Sequence, residues 1–221
     1  MNSQVTPTPR TTCVSFHSAK GGVGTSVVAA ATAVLSAERQ ETLLVDLAGD
    51  QGLIFGAPPV SATLSDWFAT DAPHPDSLAR LARDVAPQLK LLAVEESGCL
   101  PRAERLRTLA QILRSDTRAV VIDLGRMRQA GVPLIQAADR SYLVTRPCYL
   151  AVRAAMSGPT PDGVIIVSEK GRSLRAADVS SALGSPAVAQ LWIDPTVARA
   201  VDAGLLANRL PRSLRRLEEL L

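Results

Sequence analysis

The amino-acid sequence predicts an α/β fold, a single domain built on a mainly parallel, twisted sheet with helices on both faces. Three observations carry that expectation. The 221 residues are enough for one well-buried domain and short for two. Short apolar runs alternate with helical patterns along almost the whole chain. One of those runs passes through a cluster of three glycines straight into a helix.

Residues 1–11 are polar and rich in Thr and Pro, and read as a disordered lead-in to one domain over residues 12–221. Strand-like runs are expected at Cys13–Phe16, Thr42–Asp46, Leu91–Val94, Ala119–Leu124, Ser141–Thr145, Val164–Val167 and Ala187–Ile193. Most are continuously apolar rather than alternating, as suits strands covered on both faces. Helices are expected at Thr25–Arg39, Asp76–Val85, Arg102–Arg114, Tyr149–Met156, Ala176–Leu183 and Pro195–Ala203. Gly56–Pro75 holds four of the fifteen prolines and reads as an irregular excursion with one short helix at Ser65–Ala69. A last amphipathic helix, Pro211–Leu221, carries Leu214, Leu217 and Leu221 on one side and Arg212, Arg215 and Arg216 nearby.

Composition narrows the function classes. Apolar residues make up 47%, charged residues 20% and aromatics only 3%, so a core of Ala, Val, Leu and Ile is expected. The formal charge of +3 is mild, and reads first as a solvated surface. Cys13, Cys99 and Cys148 are odd in number and widely spaced, which suggests neither a disulfide framework nor a metal site. With no secretory signal in Met1–Thr12 and no apolar run near the ~20 residues that span a bilayer, a cytoplasmic protein is expected. His17 beside the glycine turn reads as structural, and Trp67 and Trp192 as packing. No Ser/His/Asp or Cys/His set stands at a useful spacing.

The chemistry lies in Lys20-Gly-Gly-Val-Gly-Thr-Ser26. Gly21, Gly22 and Gly24 let the backbone curl and turn its N–H groups toward an anion, with Val23 between them. The helix opening at Thr25 adds its positive end. Ser26 puts a hydroxyl where a phosphate-bound Mg²⁺ takes a ligand.

This segment resembles the deviant Walker A motif, K-G-G-x-G-K-[ST], of the MinD/ParA P-loop ATPases. The resemblance extends through most of the chain. Leu43-Leu-Val-Asp46 resembles the strand ending in the switch I aspartate, Val120-Val-Ile-Asp123 resembles Walker B, and Ala138–Pro147 is similar to the strand that follows. It implies that Lys20 is the signature lysine, reaching across a nucleotide sandwich dimer to the partner's phosphates. It implies ATP and Mg²⁺ as cofactors, with Lys20 to Ser26 on the phosphates, Ser26 on the metal, and Asp123 holding Mg²⁺ through a water. Lys20, Asp46 and Asp50 are the residues it marks for catalysis.

Two departures bear on activity. The second lysine of the motif is Thr25 here, and losing one charged hydrogen bond costs about 1.5–3 kcal/mol, or one to two decades in affinity or rate. Binding can survive on backbone amides, Ser26 and Mg²⁺, whereas hydrolysis suffers more. The family's V-D-x-D-P-Q reads Val45-Asp-Leu-Ala-Gly-Asp-Gln51, so its second carboxylate is either Asp50 after a small insertion or absent. A slow ATPase is expected rather than a fast one. The lysine-less loop resembles the TadZ/CpaE branch more than ParA. The base pocket is unspecified, and the pattern does not separate ATP from GTP.

The resemblance implies a dimeric, ATP-dependent switch that positions or regulates an assembly: a partitioning chromosome or plasmid, a septum or a pilus. A protein partner or cargo is expected. Scattered arginines would also suit non-specific DNA. The C-terminal helix offers a peripheral membrane contact, but with no aromatic anchor and two glutamates it is expected to pack on its own domain. The alternative is a scaffold of the same fold that binds no nucleotide and acts through protein contacts.

Overall fold

The computed structural model describes residues 12–95, 101–127 and 129–221. The lead-in expected over residues 1–11 lies outside them, as does Cys99.

Eight strands form one sheet: β1 Cys13–Ser18, β2 Thr42–Asp46, β3 Arg83–Ala86, β4 Leu89–Ala93, β5 Ala119–Arg126, β6 Arg140–Thr145, β7 Gly163–Ser168 and β8 Ala187–Trp192. They lie in the order β3-β4-β2-β5-β1-β6-β7-β8, and every neighbouring pair is parallel except β3 with β4. The helices are α1 Thr25–Ala37, α2 Gln51–Ile54, α3 Leu64–Ala69, α4 Pro75–Leu81, α5 Ala103–Arg114, α6 Val132–Ala137, α7 Tyr149–Ala155, α8 Ala176–Leu183 and α9 Pro195–Asp202. The expected α/β class, mainly parallel and covered on both faces, is the architecture found.

The continuous apolar runs have the reason the sequence suggested. Along β5, Val121 faces one core while Val120, Ile122 and Leu124 face the other. Strand side chains alternate, so a strand with two covered faces has no polar side to show. On one side α1 packs Ala29, Ala30, Ala31 and Ala33 against Phe16, Leu44, Val121 and Val144. Its small side chains let the helix sit close to the sheet. On the other side Leu106, Leu109 and Leu113 of α5 meet Leu43, Val45 and Ile122. Truncating such a leucine to alanine costs about 2–5 kcal/mol.

The expected helix Asp76–Val85 is shorter in the structure. It ends at Leu81, and Arg83–Ala86 becomes β3, antiparallel to β4. Pro87 removes an amide that a continuing helix needs, and Gln88 takes a left-handed turn at φ 57. A two-residue hairpin follows, with Lys90 reaching Asp84 at 2.9 Å across the strands.

The C-terminal segment is also different from expectation. Arg212–Leu220 winds as a 3₁₀ helix, so residues three apart stack and Leu214, Leu217 and Leu220 are buried, while Leu221 is exposed. That apolar stripe covers α1, and Arg215 pairs with Glu38 at 3.0 Å. Two of the three leucines that a membrane contact would have used, Leu214 and Leu217, are buried in the protein's own core. Among the described residues no helix is long and apolar enough to cross a membrane.

Candidate functional site

The sheet places a crevice beside the end of β1. The chain leaves β1 through α1 toward β2 on one side, while β6 to β8 lie on the other. Where successive connections diverge like this, the C-terminal edge of the sheet opens, and ligands of open α/β sheets bind there.

Ser18 closes β1. Its hydroxyl donates to the Gly125 carbonyl at 3.1 Å, and its carbonyl accepts from the Met127 amide at 2.7 Å, which ties the loop's root to the end of β5. The loop then turns through Gly22 (φ 72) and Gly24 (φ 98), conformations that side chains rarely tolerate. Val23 points down and is buried as an anchor. Beyond Gly21 and Gly22, no atom lies within 4 Å of where a Cβ would stand.

Gly24 is the N-cap of α1 and has no side chain to offer the first turn. The first helical bond runs from the Val28 amide to the Gly24 carbonyl at 3.0 Å. The amides of Thr25, Ser26 and Val27 therefore keep their donors free, as the start of any helix does until something caps it. They sit at the mouth of an open cleft of about 1240 Å³, lined by this loop, by Leu47, Ala48 and Asp50 after β2, by Leu124, Gly125 and Arg126 at the end of β5, and by Val201 and Asp202 of α9.

The floor is a carboxylate network. Asp46 and Asp123 are register partners on β2 and β5, and both are fully buried. Asp46 was expected among the catalytic groups, yet it lies under the cleft rather than in it. Its Oδ1 accepts from the amides of Ala48 and Gly49, both at 2.8 Å, and its Oδ2 from Gln51 at 2.9 Å. Burial, then the neighbouring Asp123 charge, raises its pKa, and the three amides work against that rise. Asp46 folds the 46–51 turn.

That turn delivers Asp50, whose Oδ2 accepts from the Ser26 hydroxyl at 3.1 Å. Of the two sequence alternatives for the second carboxylate, Asp50 is present at the cleft. Asp123 is held from two sides, Oδ1 by the Gly125 amide at 2.9 Å and Oδ2 by Gln51 Nε2 at 2.8 Å. Burial pushes its pKa up, bonds from Gln51, Gly125 and Ser26 pull it down, and Asp50 pushes it up again. The Ser26 hydroxyl has a single proton. It is bonded to Asp50, with Asp123 close enough to compete for it.

Gln51 was not singled out in the sequence, although it follows Asp50 directly. Both its Nε2 hydrogens are used, one on the Ser26 carbonyl at 2.9 Å and one on Asp123, so it pins α1, α2 and β5 together. Its Oε1 is buried without a donor. Gly125 (φ 54) could not be another residue: a Cβ there would stand 2.8 Å from that of Ala48. This contact seats the end of β5 against the 46–51 turn. Lys20 is exposed on the loop, does not line the cleft, and makes no ion pair among the described residues. Thr25 is buried at the first position of α1.

These groups suit a phosphate ligand with a hard cation. The loop offers uncapped amides and unfilled space. Ser26 and Asp50 offer oxygen donors to a metal, backed by Asp123. No three His, Cys, Asp or Glu side chains among the described residues form a metal site by themselves. One hydroxyl and one carboxylate suit Mg²⁺, which takes one or two protein oxygens and completes its shell with water and phosphate.

No protein-family model matches the sequence, and no curated protein matches it either. Solved structures do. A ParA family ATPase from Chlorobium tepidum aligns with a TM-score of 0.74 at 20% identity, over 95% of this chain and 97% of that one. The septum site-determining protein MinD of Pyrococcus horikoshii, complexed with Mg-ADP, gives 0.74 at 21%, over 95% and 94%. The ATP complex of a Cyanothece McdA variant gives 0.69 at 18%, over 95% and 94%. The likeness runs through almost the whole of each chain, and the fold of this protein is that of the MinD/ParA P-loop ATPases.

Proposed function

We propose that this chain binds ATP with Mg²⁺ at the end of β1 and works as a dimeric switch that positions or regulates a cellular assembly, resetting by slow hydrolysis. The observation that carries the reading is the set of free amides at Thr25–Val27, whose residues line the open cleft at the end of β1. The amides and the positive end of α1 would hold the phosphates. Ser26 and Asp50 would face the cation, with Asp123 behind them gripping its water shell. Bound Mg²⁺ would offset phosphate charge and polarise the terminal phosphoryl group.

Of the three residues marked for catalysis, Asp50 would be the carboxylate that orients a water, while Asp46 holds the turn that presents it. Lys20 is exposed and does not line its own cleft, which supports a role toward a second copy. Thr25 leaves the terminal phosphate short of one cation and favours slow turnover. The same substitution supports a place near the TadZ/CpaE branch. MinD of Aquifex aeolicus has been solved with MinC, which supports a protein partner here. The net charge of +3 would also suit non-specific DNA as a partner.

Calorimetry with ATP and Mg²⁺ tests the reading, with saturable binding expected. No heat at millimolar nucleotide would leave the scaffold that acts through protein contacts alone. Light scattering tests the switch: ATP should double the mass of the wild type and leave Lys20→Ala unchanged. A variant that still doubles would remove Lys20 from the interface.

A further inference from the structure

We propose that Arg126 supplies, from the end of β5, the positive charge that Thr25 cannot give to the terminal phosphates. The inference rests on the nucleotide reading of the cleft and names a residue for it. Among the described residues lining the cleft, Arg126 is the one cation, while Asp50 and Asp202 line it too and Asp46 and Asp123 lie beneath. A triphosphate brought there meets like charge unless a cation answers it.

The backbone at Arg126 is fixed on both sides. Residue 126 is in register with Ser18 at the root of the glycine loop, and the next amide, Met127, bonds the Ser18 carbonyl at 2.7 Å. Gly125 turns the strand end at φ 54 and lies close against Ala48, and the next residue, Arg126, lines the cleft. The Arg126 side chain is exposed and makes no ion pair or hydrogen bond to another described residue, so its guanidinium is uncommitted. Its fork of donors matches phosphate oxygens in a way that Thr25, a buried hydroxyl, does not.

Calorimetry of the whole chain with ATP and with ADP, each with Mg²⁺, decides it. Arg126→Ala should weaken ATP about ten- to a hundredfold, the range of one charge-assisted bond, and ADP by less. Arg126→Lys should keep part of the affinity. Thr25→Lys added to Arg126→Ala should restore it by returning a cation from the loop. An unchanged melting temperature in Arg126→Ala separates this loss from misfolding. Equal affinity of Arg126→Ala and wild type for ATP would overturn the proposal and leave the nucleotide reading standing. So would an equal loss for ATP and ADP, since the terminal group would then not be the contact. A wild type that binds neither nucleotide would remove the reading of the cleft, and this inference with it.

Discussion

The loop that leaves β1 and the turn that leaves β2 face the same local problem and answer it oppositely. Each must join a parallel strand to a helix whose first amides have no partner. After β2 the protein answers from within, with Asp46 closing on the turn amides of Ala48 and Gly49 and on the first helical amide, Gln51, at 2.8–2.9 Å. After β1 the cap position is Gly24, and the first residues of α1 line the open cleft with no side chain capping them. A chain that can cap a turn with one aspartate has left another uncapped at the sheet's ligand edge. Neighbouring turns therefore divide the work, one tied by its own carboxylate, the other left to be completed from outside.

The largest effect expected from breaking this arrangement is at Asp46. Asp46→Ala strands the amides of Ala48, Gly49 and Gln51. At about 1 kcal/mol for each lost bond, it should cost about 3 kcal/mol by urea unfolding. Asp46→Asn keeps one acceptor oxygen and removes the repulsion with Asp123, so it should cost less. A loss under 1 kcal/mol for Asp46→Ala would mean that the turn holds without its carboxylate.

Unsatisfied groups matter only where water cannot reach them, and β1 offers a control. His17 is buried two residues before the loop begins its turn, with both ring nitrogens lacking a partner, and burial lowers its pKa to about 4. The folded protein keeps His17 neutral down to that pH, whereas the unfolded chain protonates near 6.5. Stability is therefore lost progressively as pH falls from about 6.5 to about 4, by about 3 kcal/mol in all. His17→Leu has no such titration. Its advantage over wild type, about 1 kcal/mol at pH 7 from removing orphaned polar atoms, should widen by about 2 kcal/mol at pH 5. Parallel stability profiles of the two proteins would show that His17 is hydrated in the fold.

The legibility of these regions in the sequence differed for physical reasons. The glycine loop could be read because positive φ and close approach demand specific residues at fixed positions, so the requirement is written locally. Strands β2 and β5 and helix α1 were visible because two covered faces leave nothing polar. Strand β3 was hidden, since Arg83–Ala86 has no strand pattern of its own and exists through pairing with β4. The two aspartates of the turn could be seen but their division of labour could not. Spacing says nothing of which side chain folds inward, and Asp46 is the one whose oxygens reach the amides. Gln51 and Arg126 were missed for a related reason: their places depend on strand register and on the Gly125–Ala48 contact, which join segments distant in sequence. The C-terminal stripe differs from the expected one by one residue, Leu220 in place of Leu221, because the chain winds there as a 3₁₀ helix of period 3.0.

The smallest effect on stability is expected where the two turns contrast most. Gly21 does not have a positive φ, and no atom lies within 4 Å of the position its Cβ would take. Gly21→Ala therefore meets no clash and removes some freedom of the unfolded chain, so its stability should fall within about 0.5 kcal/mol of wild type. A loop built only to connect β1 to α1 would register nothing else. A loop built to wrap an anion would lose the approach of backbone to ligand, because the new methyl group occupies the space the ligand needs. ATP·Mg²⁺ at a hundred times its Kd should raise wild-type stability by about 2.7 kcal/mol, and Gly21→Ala should lose most of that gain while melting normally without nucleotide. An undiminished gain would place the phosphates elsewhere on the loop, and an unfolded variant would mean that the space beyond Gly21 serves the fold itself.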